Sequence, residues 1–232
     1  MSTTKSEKPT RPTISPRTGA AFAPDLMRDR VIMVTGGGTG LGFSMAEGLG
    51  RAGARLLLVA RNAERLEAAA EKLRQQGIVV DALGCDIRDP EQVNATVARG
   101  VELAGRIDGL INNAAGNFLC PSEDLTPNGF DAVVKIVLYG TVYTTLAVGR
   151  HLIGRKAPGS VVSIVTPYAW TGSPFVLPSA CAKAGVTTMT RSLAIEWGIY
   201  GIRLNAIAPG PFPTEGAWKA LVPDQSLIDG MV

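Results

Sequence analysis

Residues 31–52 read VIMVTGGGTGLGFSMAEGLGRA. Val31–Val34 is an apolar run, Thr35–Gly42 is a glycine cluster, and Phe43–Ala52 carries apolar residues at helical spacing. A strand, a glycine-rich turn and a helix in that order have the form of a nucleotide-binding unit. Some of the glycines permit φ > 0 in a tight turn, and others let the backbone approach a pyrophosphate with no Cβ in the way. The phosphates would lie at the N-terminal end of the helix, where free N–H groups point outward. On this reading Thr35, Gly36, Gly38, Thr39, Gly40 and Leu41 bind the cofactor. Glycine turns of this kind are also common as plain structure, so the rest of the chain decides.

Working outward, strands and helices alternate. Strands are expected at about 31–35, 55–60, 78–84, 107–112, 160–165 and 202–207. Asn62 caps a charged amphipathic helix that Gly77 ends. Asp89-Pro90-Glu91-Gln92 opens the next, with Asp as N-cap, Pro at the first helical position and Gln at the third. Thr126-Pro127 opens a long helix to about Arg150, and another runs from about Ser179 to Tyr200. The Arg55–Ala60 run is continuously apolar after its first residue, as a buried parallel strand is. Strands alternating with crossover helices predict an α/β fold, a doubly wound, Rossmann-like parallel sheet in the order 3-2-1-4-5-6. Its ligand crevice lies at the carboxyl ends of the strands, between the first and the fourth.

The chain has 232 residues, 46% of them hydrophobic and 19% charged, with a net charge of +3. This suits one domain with a real core. Residues 1–24, rich in Ser, Thr, Pro and charge, read as a disordered or loosely attached tail, and 25–232 as a single domain. The charge gives no reason to expect nucleic acid, no apolar run of about 18 residues points to a membrane span, and the N-terminus lacks the apolar stretch of a signal peptide. Cys85, Cys120 and Cys181 are widely spaced, which fits a reducing, cytoplasmic setting and no metal site. His151 is the one histidine, which leaves a Ser–His–Asp triad nearly excluded and makes His151 an ordinary packing residue.

The chain resembles the short-chain dehydrogenase/reductase family in Thr35-Gly36-x-x-x-Gly40-x-Gly42, Cys85-Asp86, Asn112-Asn113-Ala114-Ala115-Gly116, Lys183 and Asn205-x-x-x-Pro209-Gly210. Within that family it is most similar to the 2,4-dienoyl-CoA reductases, through GGGTGLG, CDIRDP, NNAAGNF, a tyrosine after the fifth strand, PSACAKAG and APGP. The resemblance implies a cofactor site that also takes in Asp86, receiving the adenine amino group, together with Asn113, Ala114, Gly116, Lys183, Pro209, Gly210 and Pro211.

Cofactor choice has a physical argument. Arg61 stands where the second strand ends, 19 residues after Gly42 (61 − 42). An acid near that place would take the ribose 2′-OH of NAD, whereas a guanidinium fork suits the 2′-phosphate of NADPH. The reading is therefore NADPH, with a solvated, helix-opening Arg61 as the plain alternative. By resemblance Arg88 meets a CoA phosphate. Asn117, Phe118 and Trp218 are further substrate candidates, with Trp170 and Phe175 as possible walls for an acyl chain.

Most family members carry Tyr-x-x-x-Lys, but here the position four before Lys183 is Ser179. The two share a helix face, and a serine hydroxyl is too weak an acid to replace a phenol. In the dienoyl-CoA reductases the tyrosine lies upstream, and Tyr168, 11 residues before Ser179, matches it. The resemblance then implies that Lys183 binds the nicotinamide ribose while Ser179 bonds nearby. The implied reaction adds hydride to the δ carbon of a dienoyl thioester while Tyr168 stabilises the charge that reaches the thioester oxygen. Tyr139 departs from the pattern. It stands where the family has an Asn said to share the oxyanion contact, so it is either a second donor or a packing partner of Tyr143.

The resemblance also implies a homotetramer built on the long helices, and an acyl-CoA-type small-molecule substrate. It implies a further helix and a seventh strand beyond Val232, so the domain is expected to be C-terminally incomplete relative to the family, through an incomplete sequence or a natural short form. Two other functions remain open: a reductase of another enoyl or keto substrate, and an NADPH-binding protein without turnover.

Overall fold

A computed structural model describes residue 23 and residues 25–210. The expectations for the 1–24 tail, for Pro211 and Trp218, and for C-terminal incompleteness lie outside the described residues.

Six strands, β1 (Val31–Thr35), β2 (Arg55–Ala60), β3 (Val80–Gly84), β4 (Gly109–Asn112), β5 (Gly159–Ile164) and β6 (Ile202–Ile207), form one sheet. Its order is β3-β2-β1-β4-β5-β6 and every pairing is parallel. The helices are α1 (Gly40–Arg51), α2 (Ala63–Arg74), α3 (Pro90–Ala104), α4 (Pro127–Val134), α5 (Gly140–Gly154), the single turn α6 (Tyr168–Thr171) and α7 (Leu177–Trp197).

The continuous apolar strands follow from helices on both faces. Alternate residues of a strand point to opposite sides. Ile32, Val34, Leu56 and Leu58 pack with Ala46, Leu66 and Leu73 of α1 and α2. Met33, Leu57 and Val59 pack with Val93 and Val97 of α3 and Val148 and Leu152 of α5. Leu56, Leu57 and Leu58 are all fully buried, which is why this stretch shows no alternation in the sequence.

The caps form largely as the residue types predict. Asn62 accepts from the N–H of Arg65, Thr126 from that of Gly129, and Asp89 from those of Glu91 and Gln92. Gln92 does not reach back to the N–H of Asp89; its Oε1 accepts from the N–H of Asp86 instead, which fixes the turn after β3.

Several boundaries differ from expectation. β4 starts two residues late because the N–H of Ile107 donates to His151 Nε2 rather than to a strand. β3 begins at Val80, since the N–H of Ile78 turns back to the Leu73 carbonyl and closes α2. α7 starts at Leu177, before Ser179, with Pro178 in its first turn, where a missing N–H costs little. The long helix reaches Gly154 and contains a π-helical segment, Lys135–Tyr139, between α4 and α5.

That 28-residue helix, Pro127–Gly154, is long and apolar enough to cross a membrane, contrary to the expectation that no such run exists. Here 56% of its most apolar window is buried inside the fold, and Val148 and Leu152 lie against the sheet. Its hydropathy is that of a core helix covering a parallel sheet.

Candidate active site

The site lies where β1 and β4 run side by side and their following loops part. Thr35, 1% exposed, pins the two loops together. Its Oγ1 accepts the N–H groups of Asn113 (3.0 Å) and Ala114 (3.1 Å) and donates to the Ile111 carbonyl. The Asn113 amide donates to the carbonyls of Thr35 (3.1 Å) and Gly36 (3.3 Å). Thr35 and Asn113 thus shape the crevice, and both N–H groups of that amide are already engaged.

The glycines now have particular reasons. Gly36 and Gly40 take positive φ, +66° and +54°. A Cβ on Gly42 would lie 2.2 Å from the Gly36 carbonyl oxygen, so the loop could not fold back on its helix. Gly42 is thus a packing residue that the motif alone did not distinguish from a phosphate-binding one. At the head of α1, Thr39 makes no side-chain cap and the first turn holds no acid. The helix N-terminus is left open to an anion, which fits a dinucleotide pyrophosphate.

Arg61 follows β2, and with Arg88, Gly116, Asn117, Phe118, Ala132, Val133 and Ile136 it lines a cavity of about 210 Å³. Arg88 is not free in it. Its Nε donates to both oxygens of Asp86 (2.9 and 3.0 Å) and its Nη2 to one of them. The bonded Arg88 guanidinium holds the Asp86 carboxyl below the usual carboxylate range. The sequence placed Asp86 at the adenine and Arg88 at a CoA phosphate as separate contacts; the structure joins them as an ion pair beside Arg61.

On the other wall, Ser179 and Lys183 sit one turn apart on α7. Tyr168 opens α6, and its hydroxyl lies 3.0 Å from Ser179 Oγ. Lys183 is 6% exposed and its Nζ donates to the Ile164 carbonyl at the end of β5. Burial pushes its pKa down to about 8. The structure therefore pairs Tyr168 with Ser179, one helical turn before Lys183. Tyr139 makes no side-chain hydrogen bond to them among the described residues. That ring is 46% exposed and packs against Tyr143, with centroids 6.2 Å apart and planes tilted 41°. Pro209 and Gly210 follow β6 at the same end of the sheet.

Two buried polar groups at this end have no protein partner among the described residues. Both amide atoms of Asn117 and the hydroxyl of Thr166 are shielded and unbonded. Such groups are costly unless a ligand or water satisfies them. Thr166 was not singled out from the sequence. Its place, two residues before Tyr168 at the end of a strand, was the available signal.

An open phosphate cradle, a basic pocket beyond β2 and a Tyr–Ser pair one turn before a buried lysine have the form of a nucleotide-binding α/β site. The chain belongs to the short chain dehydrogenase family, whose sequence pattern matches residues 30–223, and whose members use a nicotinamide dinucleotide. It is 46% identical over 203 residues to an uncharacterized oxidoreductase of Caenorhabditis elegans, covering 87% of this chain and 65% of that protein. It is 42% identical to a probable 2,4-dienoyl-CoA reductase of Bacillus subtilis, covering 84% of this chain and 77% of that one. Among solved structures, a short chain dehydrogenase from Bacillus anthracis superposes with a TM-score of 0.77 at 45% identity, covering 80% of this chain and 75% of its own. The chain spans about two thirds of the length of the C. elegans relative.

Proposed function

We propose that this chain is an NADPH-dependent reductase of 2,4-dienoyl-CoA thioesters. The observation that carries the reading is the bond between the Tyr168 hydroxyl and Ser179 Oγ. It sets a phenol against Ser179, one helical turn before Lys183, from a position 15 residues upstream of that lysine (183 − 168) rather than four, as the resemblance to dienoyl-CoA reductases implies. Relatives named as such reductases, in B. subtilis and C. elegans, support the same substrate class.

The cofactor residues fit the group. The open N-terminus of α1 with Gly36–Leu41 holds the pyrophosphate, Arg61 takes the 2′-phosphate, Asp86 borders the adenine, and Lys183 with Asn113, Ala114, Gly116 and the Pro209-Gly210 turn holds the nicotinamide end. NADPH, when bound, supplies the hydride. The chain's own residues manage the charge this creates on the substrate. Tyr168 donates its hydroxyl proton in a hydrogen bond to the thioester oxygen, while Ser179 Oγ orients the phenol. Donors fixed in advance where charge develops lower the barrier by several kcal/mol. The dienolate then takes a proton from water and leaves as an enoyl thioester.

NADPH oxidation measured with 2,4-decadienoyl-CoA and with acetoacetyl-CoA tests this. Turnover of the dienoyl thioester alone is expected. Turnover of the keto thioester alone would favour the second reading, a reductase of another enoyl or keto substrate, for which the packing of Tyr139 on Tyr143 is the favouring observation. A homotetramer in the cytoplasm belongs to the same proposal.

A further inference from the structure

The loops after β4 and β5 expose five large apolar side chains: Phe118, Leu119, Trp170, Phe175 and Leu177 are 37%, 40%, 54%, 52% and 42% exposed. Apolar surface concentrated beside a cleft marks a binding surface rather than ordinary scatter. Phe175 differs from the others in its backbone. Its φ is +64°, a left-handed conformation that a bulky residue rarely adopts. No local feature favours it there, since Phe has no polar side chain with which to bond its own backbone. Burial of the ring is no compensation either, because half of it is exposed.

What holds the conformation is tertiary. The Phe175 carbonyl accepts the N–H of Cys120 at 2.9 Å, and Val176, the next residue, is 5% exposed and anchored in the core. The bond clasps the two loops together. Cys120 follows Asn117 by three residues, and Phe175 lies between Tyr168 and Ser179. A strained residue kept by its surroundings, at a site and without burial of its side chain, points to a ligand contact.

We propose that Phe175, clasped by Cys120 in the left-handed conformation, is a specificity-determining residue that receives the aliphatic chain of the substrate at the mouth of the site. This rests on the thioester reading above and adds to it a residue that sets chain length. An aliphatic chain is the fitting occupant because these five large exposed side chains are apolar and three of them, Trp170, Phe175 and Leu177, lie in the chain between Tyr168 and Ser179.

The test measures binding of two saturated thioesters, dodecanoyl-CoA and butanoyl-CoA, by tryptophan fluorescence in the wild-type chain and in Phe175→Ala, Phe175→Gly and Phe175→Leu. The alanine and glycine variants should bind dodecanoyl-CoA about tenfold more weakly, the scale of a lost apolar contact, with butanoyl-CoA binding unchanged and partial recovery in Phe175→Leu. Phe175→Gly should also melt about 2–4 °C above Phe175→Ala, because only glycine is unstrained there. Variants that keep the wild-type preference for the long chain overturn the proposal and leave the thioester reading standing. A wild-type chain that binds neither thioester overturns both.

Discussion

At the N-terminal ends of β1 and β4, one carboxylate serves three donors. Asp108 is buried, and it accepts the N–H of Val31 (2.9 Å), Arg106 Nε (2.9 Å) and Arg155 Nη1 (3.5 Å). Arg155 also donates to the Ile107 carbonyl, Arg106 to that of Asp29, and His151 takes the N–H of Ile107. At the C-terminal ends of the same strands the terms reverse. Lys183 is buried with no carboxylate partner among the described residues. Asn117 and Thr166 hide polar atoms that meet no partner among the described residues. The satisfied end contributes stability, whereas the unsatisfied end holds groups in reserve for ligands at a cost to stability. The comparison is open to attack from either end.

The largest effect is expected at the unsatisfied end. Tyr168→Phe keeps the ring and loses the hydroxyl that we propose meets the substrate oxygen. Its kcat for the dienoyl thioester should fall about 10²–10³-fold, while NADPH binding and the melting temperature stay near wild type. A loss below about tenfold would remove Tyr168 from the chemistry.

Asp108→Ala should do the opposite. It strands the N–H of Val31 and leaves Arg106 and Arg155 without their shared acceptor. Removing one partner of such a buried network costs about 3 kcal/mol, or roughly 6–12 °C of melting temperature for a domain of this size. Turnover per folded molecule should be unchanged. A stable Asp108→Ala with impaired kcat would show that the two ends are not separate in role.

Arg61→Ala sharpens the division within the cofactor site. The Arg88 guanidinium is bonded to Asp86, whereas no side-chain hydrogen bond or ion pair engages Arg61 among the described residues. Loss of a charge-assisted contact to phosphate should raise the KM for NADPH about tenfold and leave that for NADH nearly unchanged. Equal changes for the two cofactors would assign the 2′-phosphate elsewhere.

The same contrast explains what was legible in the sequence. The strand order, the caps at Asn62 and Thr126 and the glycine turn are local patterns, each written in a few adjacent residues. The division between Gly36, needed for its φ, and Gly42, needed for a close approach to the Gly36 carbonyl, depends on how the turn folds back. No spacing rule reports that. Single bonds of the Asp108 network span up to 77 positions, and nothing near Asp108 in the chain announces Val31 or Arg155. At the site, Tyr168 and Ser179 could be paired only through resemblance, because an 11-residue offset across a loop has no helical or strand period. The π-helical segment that ends at Tyr139 is likewise something periodicity does not reveal.

The smallest effect concerns His151, at the satisfied end. Its Nε2 accepts the N–H of Ile107, so the folded state needs the neutral imidazole. Burial first, and then the positive charge of Arg155, lower its pKa from 6.5, against a smaller opposing pull from Asp108. In the unfolded chain the ordinary value returns. Between the lowered folded pKa and 6.5 the unfolded state binds more protons, so stability is full above pH 6.5 and is lost as pH falls through the folded pKa. Asp86 and Asp89 also have folded pKa values below the usual carboxylate range, so their contributions fade at lower pH. His151→Gln supplies an acceptor for the same N–H without a titrating group. The difference in melting temperature between wild type and His151→Gln should be flat above pH 6.5 and should turn against the wild type below it. A difference that stays constant from pH 8 to pH 5 would mean that the imidazole does not titrate against that bond, and that this end of the sheet owes its stability to Asp108 alone.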